Sequence, residues 1–225
     1  MLYFLEVREL SDEPTMRGTP HPLVAALIDA VPARSRILLL GVGSGRHIPP
    51  LLAANLRIDV LEEDAKRAGA ASARFAADDR VRVAHGRYDE PPPFDATYDG
   101  ALSTHALLHG RPETVAAVLA TLASAMRPGA PLHVTLGSRR DPRFGAGTPF
   151  DEATRVATTG TEAGIPHAYF DEVSARRLLS DWEILSLEER SAAETAGRWA
   201  HNPSELESMV HWFVRAARSA PTGPS

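Results

Sequence analysis

Residues 37–47 read Ile-Leu-Leu-Leu-Gly-Val-Gly-Ser-Gly-Arg-His. An apolar run without alternation fits a strand covered on both faces, as in a parallel sheet. It leads directly into glycines at 41, 43 and 45. A glycine loop at the carboxyl end of such a strand, handing over to a helix, lets a nucleoside approach bare main chain. These residues therefore point to an α/β fold with its site at the first β-to-α turn.

Strand and helix patterns alternate along the chain. A helix is expected from about Pro20–Pro22 to Ala30, and strands at 36–41, 57–61, 80–84, 96–102 and 131–136. Further helices are expected from Gly45 or Arg46, at 65–77 and at 112–126. Pro49 and Pro50 suit a first turn, where a missing N–H costs little. Val115, Val118, Leu119, Leu122 and Met126 recur at helical spacing, and Arg127-Pro128-Gly129 stops that helix. Residues 138–168 break the rhythm with glycines and prolines, as a functional lid or mobile loop does. A helix at 171–180, a strand at 182–189, an irregular or helical piece at 191–207 and a last strand at 208–216 follow. In that last strand Val210, Trp212 and Val214 alternate with His211, Phe213 and Arg215, the pattern of a half-buried strand. Trp182 and Trp212 are expected in the core. The pattern as a whole argues for a doubly wound, mostly parallel sheet with helices on both faces, in one domain over 1–218. Residues 219–225 read as a disordered tail.

Composition narrows the function classes. Lys and Arg number 24 against 29 Asp and Glu, a net charge of −5, and no basic run stands out. A nucleic-acid partner is therefore not expected. With no cysteine, a thiolate nucleophile, a zinc–cysteine site, an iron–sulfur site and a disulfide are all excluded. That composition fits a cytoplasmic protein. The N-terminus lacks the basic start and long apolar core of a signal peptide. No stretch approaches the ~20 apolar residues of a membrane span.

Two cofactor classes compete for the glycine loop. A nicotinamide dinucleotide site of the G-x-G-x-x-G type would place its third glycine at 46, which is Arg46. Here the spacing is G-x-G-x-G. Glu62 closes the second strand, where a carboxylate can accept two hydrogen bonds from a ribose diol. Glu62-Glu63-Asp64 also suits a helix N-terminus.

Further segments carry a family likeness. Leu40-Gly-Val-Gly-Ser-Gly-Arg46, Val60-Leu-Glu62, Phe94-Asp-Ala-Thr-Tyr-Asp-Gly-Ala-Leu-Ser103 and Ala125-Met-Arg-Pro-Gly-Ala-Pro-Leu-His-Val134 occur in order. Together, over about 20–137, they resemble class I S-adenosylmethionine (SAM)-dependent methyltransferases. Ser103-Thr-His-Ala-Leu-Leu-His-Gly110, Asp141-Pro-Arg-Phe-Gly145 and Gly164-Ile-Pro-His-Ala-Tyr-Phe-Asp171 resemble a bacterial small-molecule branch of the tellurite-resistance type. The resemblance implies a Rossmann-like seven-stranded sheet with an antiparallel last strand. It also implies SAM as cofactor, S-adenosylhomocysteine as product and a small-molecule methyl acceptor.

Carried over by position, the cofactor set is Gly41, Val42, Gly43, Gly45, Glu62, Glu63, Arg87, Tyr88, Ser103 and Thr104. The glycines meet the methionine end, Glu62 the ribose, and Ser103, Thr104 and His105 lie beneath the sulfonium. Two positions depart from the family pattern. Leu39 stands where an acid usually precedes the first glycine, and Arg87 and Tyr88 stand where an acid often meets adenine. Tyr88 can instead stack on the base. A SAM-fold protein without turnover is the rival reading, and a nicotinamide-dependent reductase a third.

Methyl transfer needs an aligned acceptor and a water-free site, with a general base only when the acceptor must lose a proton. His105 and His109 are the candidate bases, sharing a face at i, i+4 if that stretch is helical. A metal at this pair lacks a nearby third ligand in the sequence, so none is expected. The lid contributes Arg139, Arg140, Arg143, Phe144, His167, Tyr169 and Phe170. Arg143, Phe144, His167 and Tyr169 are the expected acceptor contacts, an arginine clamping a carboxylate or phosphate. Tyr3, Phe4 and His21 can close the pocket from the other side.

Overall fold

A computed structural model of the chain describes residues 18–159, 162–195 and 209–220. Tyr3, Phe4, most of the expected piece at 191–207 and most of the expected tail lie outside these residues.

Helix α1 (Pro22–Ala30) begins where His21 Nδ1 accepts the N–H of Leu23 at 3.1 Å. Pro22 occupies the first turn, where it has no bond to lose. Strands β1 (Arg36–Leu40), β2 (Arg57–Glu62) and β3 (Val81–His85) run parallel with one another. Between them lie α2 (Ile48–Ala53) and α3 (Ala65–Arg74), the latter capped by Asp64, which accepts the Arg67 N–H at 2.8 Å. Next come β4 (Gly100–Ser103), a 3-10 turn (Ala106–Leu108), α4 (Pro112–Ala125) and β5 (Pro131–Ser138). The remaining elements are α5 (Pro142–Ala146), β6 (Thr148–Pro149), β7 (Thr154–Val156), β8 (Pro166–Phe170), α6 (Glu172–Leu178), β9 (Trp182–Ser191) and β10 (Val210–Arg218).

The main sheet runs β3-β2-β1-β4-β5-β10-β9, with β10 antiparallel to both neighbours. The antiparallel last strand is as expected, but the sheet has ten strands rather than seven, because β8, β7 and β6 continue it from β5. Strand order reverses between β1 and β4, and the crevice at their carboxyl ends is where such sheets take ligands. The four leucine and isoleucine residues of β1 are at most 1% exposed, because helices and neighbouring strands cover both faces. No helix of the described residues is long and apolar enough to cross a membrane.

Three expectations change. β4 is shorter than the apolar pattern suggested, because Tyr98 makes only an isolated bridge to Met126 before the strand starts at Gly100. β10 is not half-buried: it lies between β5 and β9, with Trp212, Val214 and Ala216 in one core cluster and Phe213 in the other. Residues 138–168 are not featureless. They hold α5 and the antiparallel run β6-β7-β8. β10 occupies one edge of β5 from Pro131 to Gly137, and β8 pairs with Gly137 and Ser138 on the other, beyond the end of β4. Only glycine fits at 137, since a Cβ there would meet the Ala168 carbonyl oxygen at 2.4 Å. The inserted strands thus overhang the crevice.

Candidate active site

The glycine loop leaves β1 with Gly41, Gly43 and Gly45 all at positive φ, +79°, +53° and +79°. A Cβ on Gly41 would lie 2.9 Å from the Ala106 Cβ and 3.3 Å from the Tyr88 hydroxyl. Glu62 ties the loop to β2. Its Oε2 accepts the Val42 N–H at 2.9 Å and its Oε1 the Asp64 N–H at 3.0 Å, while the residue is 3% exposed. Glu63 does the same for the next wall, accepting the Tyr88 N–H at 3.0 Å. Burial, reinforced by Glu62 and Glu63, pushes the Tyr88 phenol above its ordinary range, so it stays neutral.

Below this loop lies a cavity of about 960 Å³, in the size range of small-molecule sites. Gly41, Val42, Gly43, Glu62, Glu63, Tyr88 and Thr104 line it, as do both histidines after β4 and Arg143, His167 and Tyr169 from the insertion.

Four expected residues do not line it. Arg87 turns outward, held by Asp89 at 2.7 Å and by Glu90. Ser103 is inside the sheet, donating to the Leu40 carbonyl at 3.4 Å. Gly45 shapes the entry to α2 rather than the wall, its carbonyl accepting the Ile48 N–H. Phe144 packs behind the wall, 5.4 Å from the Tyr169 ring, with the Arg155 guanidinium over its face at 4.0 Å. Arg139 and Arg140 are likewise occupied outside the cavity, by Glu152 with Asp171 and by Glu189.

The histidines after β4 separate. His105 takes a left-handed conformation, φ +66°, and donates its N–H to Thr135 Oγ1 at 2.8 Å. The 3-10 turn follows, and His109 emerges in extended backbone, so the two share no helical face. His105 instead joins two histidines that sequence reading did not connect with it. Its ring meets His21 at 5.8 Å and His211 at 5.0 Å between centroids, both edge-on.

His211 is fully buried, and Arg143 Nη2 lies 2.9 Å from its Nε2. Desolvation, with the Arg143 guanidinium, holds it down to about 3. Burial, followed by His47, His211 and Arg46, likewise holds His21 well below the ordinary imidazole range. Burial opposes the Arg143 charge, but Asp141 outweighs it through bonds of 2.8 and 2.7 Å. Asp141 also caps α5 and accepts the Val210 N–H at 3.0 Å, so one carboxylate joins the insertion to β10.

Arg46, read in the sequence only as a missing glycine, is 4% exposed on the cavity wall. Burial draws it down to about 10, and among the described residues its Nη2 has no hydrogen-bond partner. A buried guanidinium without a carboxylate suits an anionic ligand group.

His109 meets residues far away in the sequence. His167, buried in β8, places its Nε2 at 3.0 Å from Glu162 Oε2, and His109 Nε2 lies 3.3 Å from Glu162 Oε1. Those two histidines hold Glu162 well below the usual carboxylate range. The third ligand that the sequence did not supply near His105 and His109 is thus present in space beside His109. Tyr169 completes this side, its phenol pushed up to about 12 by burial.

This topology is that of the class I SAM-dependent methyltransferase fold. Residues 37–129, from β1 through the turn before β5, match the model of the methyltransferase-domain family. A SAM-dependent methyltransferase from Methanosarcina mazei is 14% identical, covering 89% of this chain and 99% of its own, with a TM-score of 0.70. The 1,6-didemethyltoxoflavin-N1-methyltransferase of Burkholderia thailandensis, solved with 1,6-didemethyltoxoflavin and S-adenosylhomocysteine, is 20% identical over 93% and 80%, with a TM-score of 0.62. TehB from Haemophilus influenzae is 14% identical over 89% of this chain and 63% of its own, with a TM-score of 0.63. No curated protein matches the chain.

Proposed function

We propose that this protein transfers a methyl group from SAM to a small-molecule acceptor by direct in-line displacement. The observation that carries this reading is the glycine loop, locked by Glu62 and opening onto the roofed cavity at the sheet's switch point. SAM would supply a methyl carbon already activated by its sulfonium. Glu62 spends one lone pair on each backbone donor, which leaves each oxygen free to accept from a ribose hydroxyl. Gly41 and Gly43 present main chain without side chains, and Arg46 offers its guanidinium to the amino-acid carboxylate. Tyr88 walls the adenine side. Thr104 and His105 lie at the end of β4 on the cavity wall, where an acceptor would be aligned. Such alignment can supply on the order of 7–11 kcal/mol. Arg143, His167 and Tyr169 form the acceptor side of the cavity.

Calorimetric titration with SAM, S-adenosylhomocysteine and NADPH tests the reading. The two sulfur nucleosides are expected to bind and NADPH not. Binding of NADPH alone would overturn it. SAM binding without methyl consumption across broad acceptor panels would favour a silent SAM-fold protein.

A further inference from the structure

We propose that His109, Glu162 and His167 bind a divalent transition metal ion of the zinc class in the cavity wall. One nitrogen from each histidine and a Glu162 oxygen lie within 4.8 Å of one another, and all three residues line the cavity. His167 and Glu162 approach to 3.0 Å and His109 and Glu162 to 3.3 Å. Ligand bonds of roughly 2.0–2.2 Å around an octahedral or tetrahedral ion separate neighbouring donors by ~2.8–3.6 Å, and both contacts fall in that range, His167 through Oε2 and His109 through Oε1 of Glu162.

Orientation points the same way. His167 Nδ1 lies 3.0 Å from the Ile165 carbonyl, which can only accept, so Nδ1 carries a proton. That fixes Nε2 as the atom turned toward Glu162 and the cavity. Backbone carbonyls hold metal-ligating imidazoles in this manner. The backbone also pins the pair together: His109 and His167 form an antiparallel bridge, and Gly110 N–H donates to the Pro166 carbonyl at 2.7 Å. Two imidazoles with one carboxylate suit zinc, cobalt, iron or manganese rather than magnesium, which prefers oxygen donors.

Three protein ligands leave at least one open position, the pattern of catalytic rather than structural sites. The open position faces the cavity, so an acceptor with a hydroxyl, thiol or similar donor would coordinate there and release its proton to solvent. This role of the open position rests on the methyl-transfer reading; the metal site itself does not.

The test uses the full chain purified without a polyhistidine tag. Dialysis against zinc, then elemental analysis, is expected to give one zinc per chain. Cobalt titration is expected to give visible absorption bands that millimolar magnesium does not displace. His167→Ala and Glu162→Gln should each weaken cobalt binding at least about 100-fold, since losing even an outer partner of a metal ligand costs about 10–100-fold. Circular dichroism checks that both variants fold. His85→Ala, an exposed histidine on β3 outside the cavity, should bind as the unaltered chain does. Absent cobalt bands would overturn the site, and so would binding that survives both ligand substitutions or falls equally in His85→Ala. Zinc binding without SAM binding would leave the metal site standing and remove only the methyl-transfer reading.

Discussion

The buried His211 makes this fold sensitive to mild acid. The ring is enclosed by β5 and β9 on either side of β10, with Arg143 and Asp141 against it from the insertion and His105 from the turn after β4. Glu162 and His167 act on it from further off. Its folded value of about 3 lies below the unfolded 6.5. Above 6.5 both states are neutral there and stability is unaffected. As pH falls below 6.5 the unfolded chain takes up a proton that the folded chain refuses, and stability drops by about 1.4 kcal/mol per pH unit. Between about pH 6.5 and 4.5 this one group removes about 2 kcal/mol, a large part of a typical domain's stability. His21, lowered in the same sense, steepens the slope. His211→Gln keeps an oxygen that can accept from Arg143 but cannot titrate. Urea unfolding across this range should therefore show a slope for His211→Gln that is shallower by about one proton. Equal slopes for both proteins would refute the argument, because His211 would then titrate alike in both states.

Three further outcomes follow from the same geometry. Gly41→Ala puts a methyl group 2.9 Å from Ala106 at φ +79°, and should cost about 1–3 kcal/mol in unfolding experiments and abolish SAM binding in calorimetry. Glu62→Gln turns an amide N–H2 toward the N–H of either Val42 or Asp64, leaving a buried donor unpaired. It should lower stability by about 1–3 kcal/mol and weaken SAM at least about tenfold. Asp59, fully buried, holds Arg36 at 2.9 Å and Arg82 at 2.5 Å. Asp59→Asn should cost about 1–3 kcal/mol by urea unfolding, less than a wholly buried pair because both arginines reach solvent.

The cofactor half was legible because its signals are local. The apolar run of β1, the glycines and Glu62 lie within one β-α-β unit, so their meeting at one loop follows from immediate neighbours, whereas Arg87 and Ser103, read by position alone, fall outside the cavity. Burial of β10 was not local. Trp212 was expected in the core, but Phe213 on the other face reads as a core residue only once β5 and β9 flank the strand, since alternation alone suggested one wet face. The acceptor side was harder still. His105 and His109 looked like helical partners, but Thr135 holds the first in a left-handed bend and the bridge to His167 extends the second. Glu162 lies 53 residues from its contact His109, brought there by the β7–β8 pairing, and no periodicity announces such a meeting. Arg46 was visible only as the residue that excluded a dinucleotide fingerprint. Its burial, with no carboxylate against it among the described residues, emerged in three dimensions.

The overhang formed by β8 bears on what the cavity can hold. It is grafted onto the sheet by two residue pairs at the tip of β5, with Gly137 leaving room for the crossing backbone. The graft begins beyond residue 129, where the shared family pattern stops. On the methyl-transfer reading, exchange of this segment would change the acceptor side of the cavity and leave the glycine loop and Glu62 as they are.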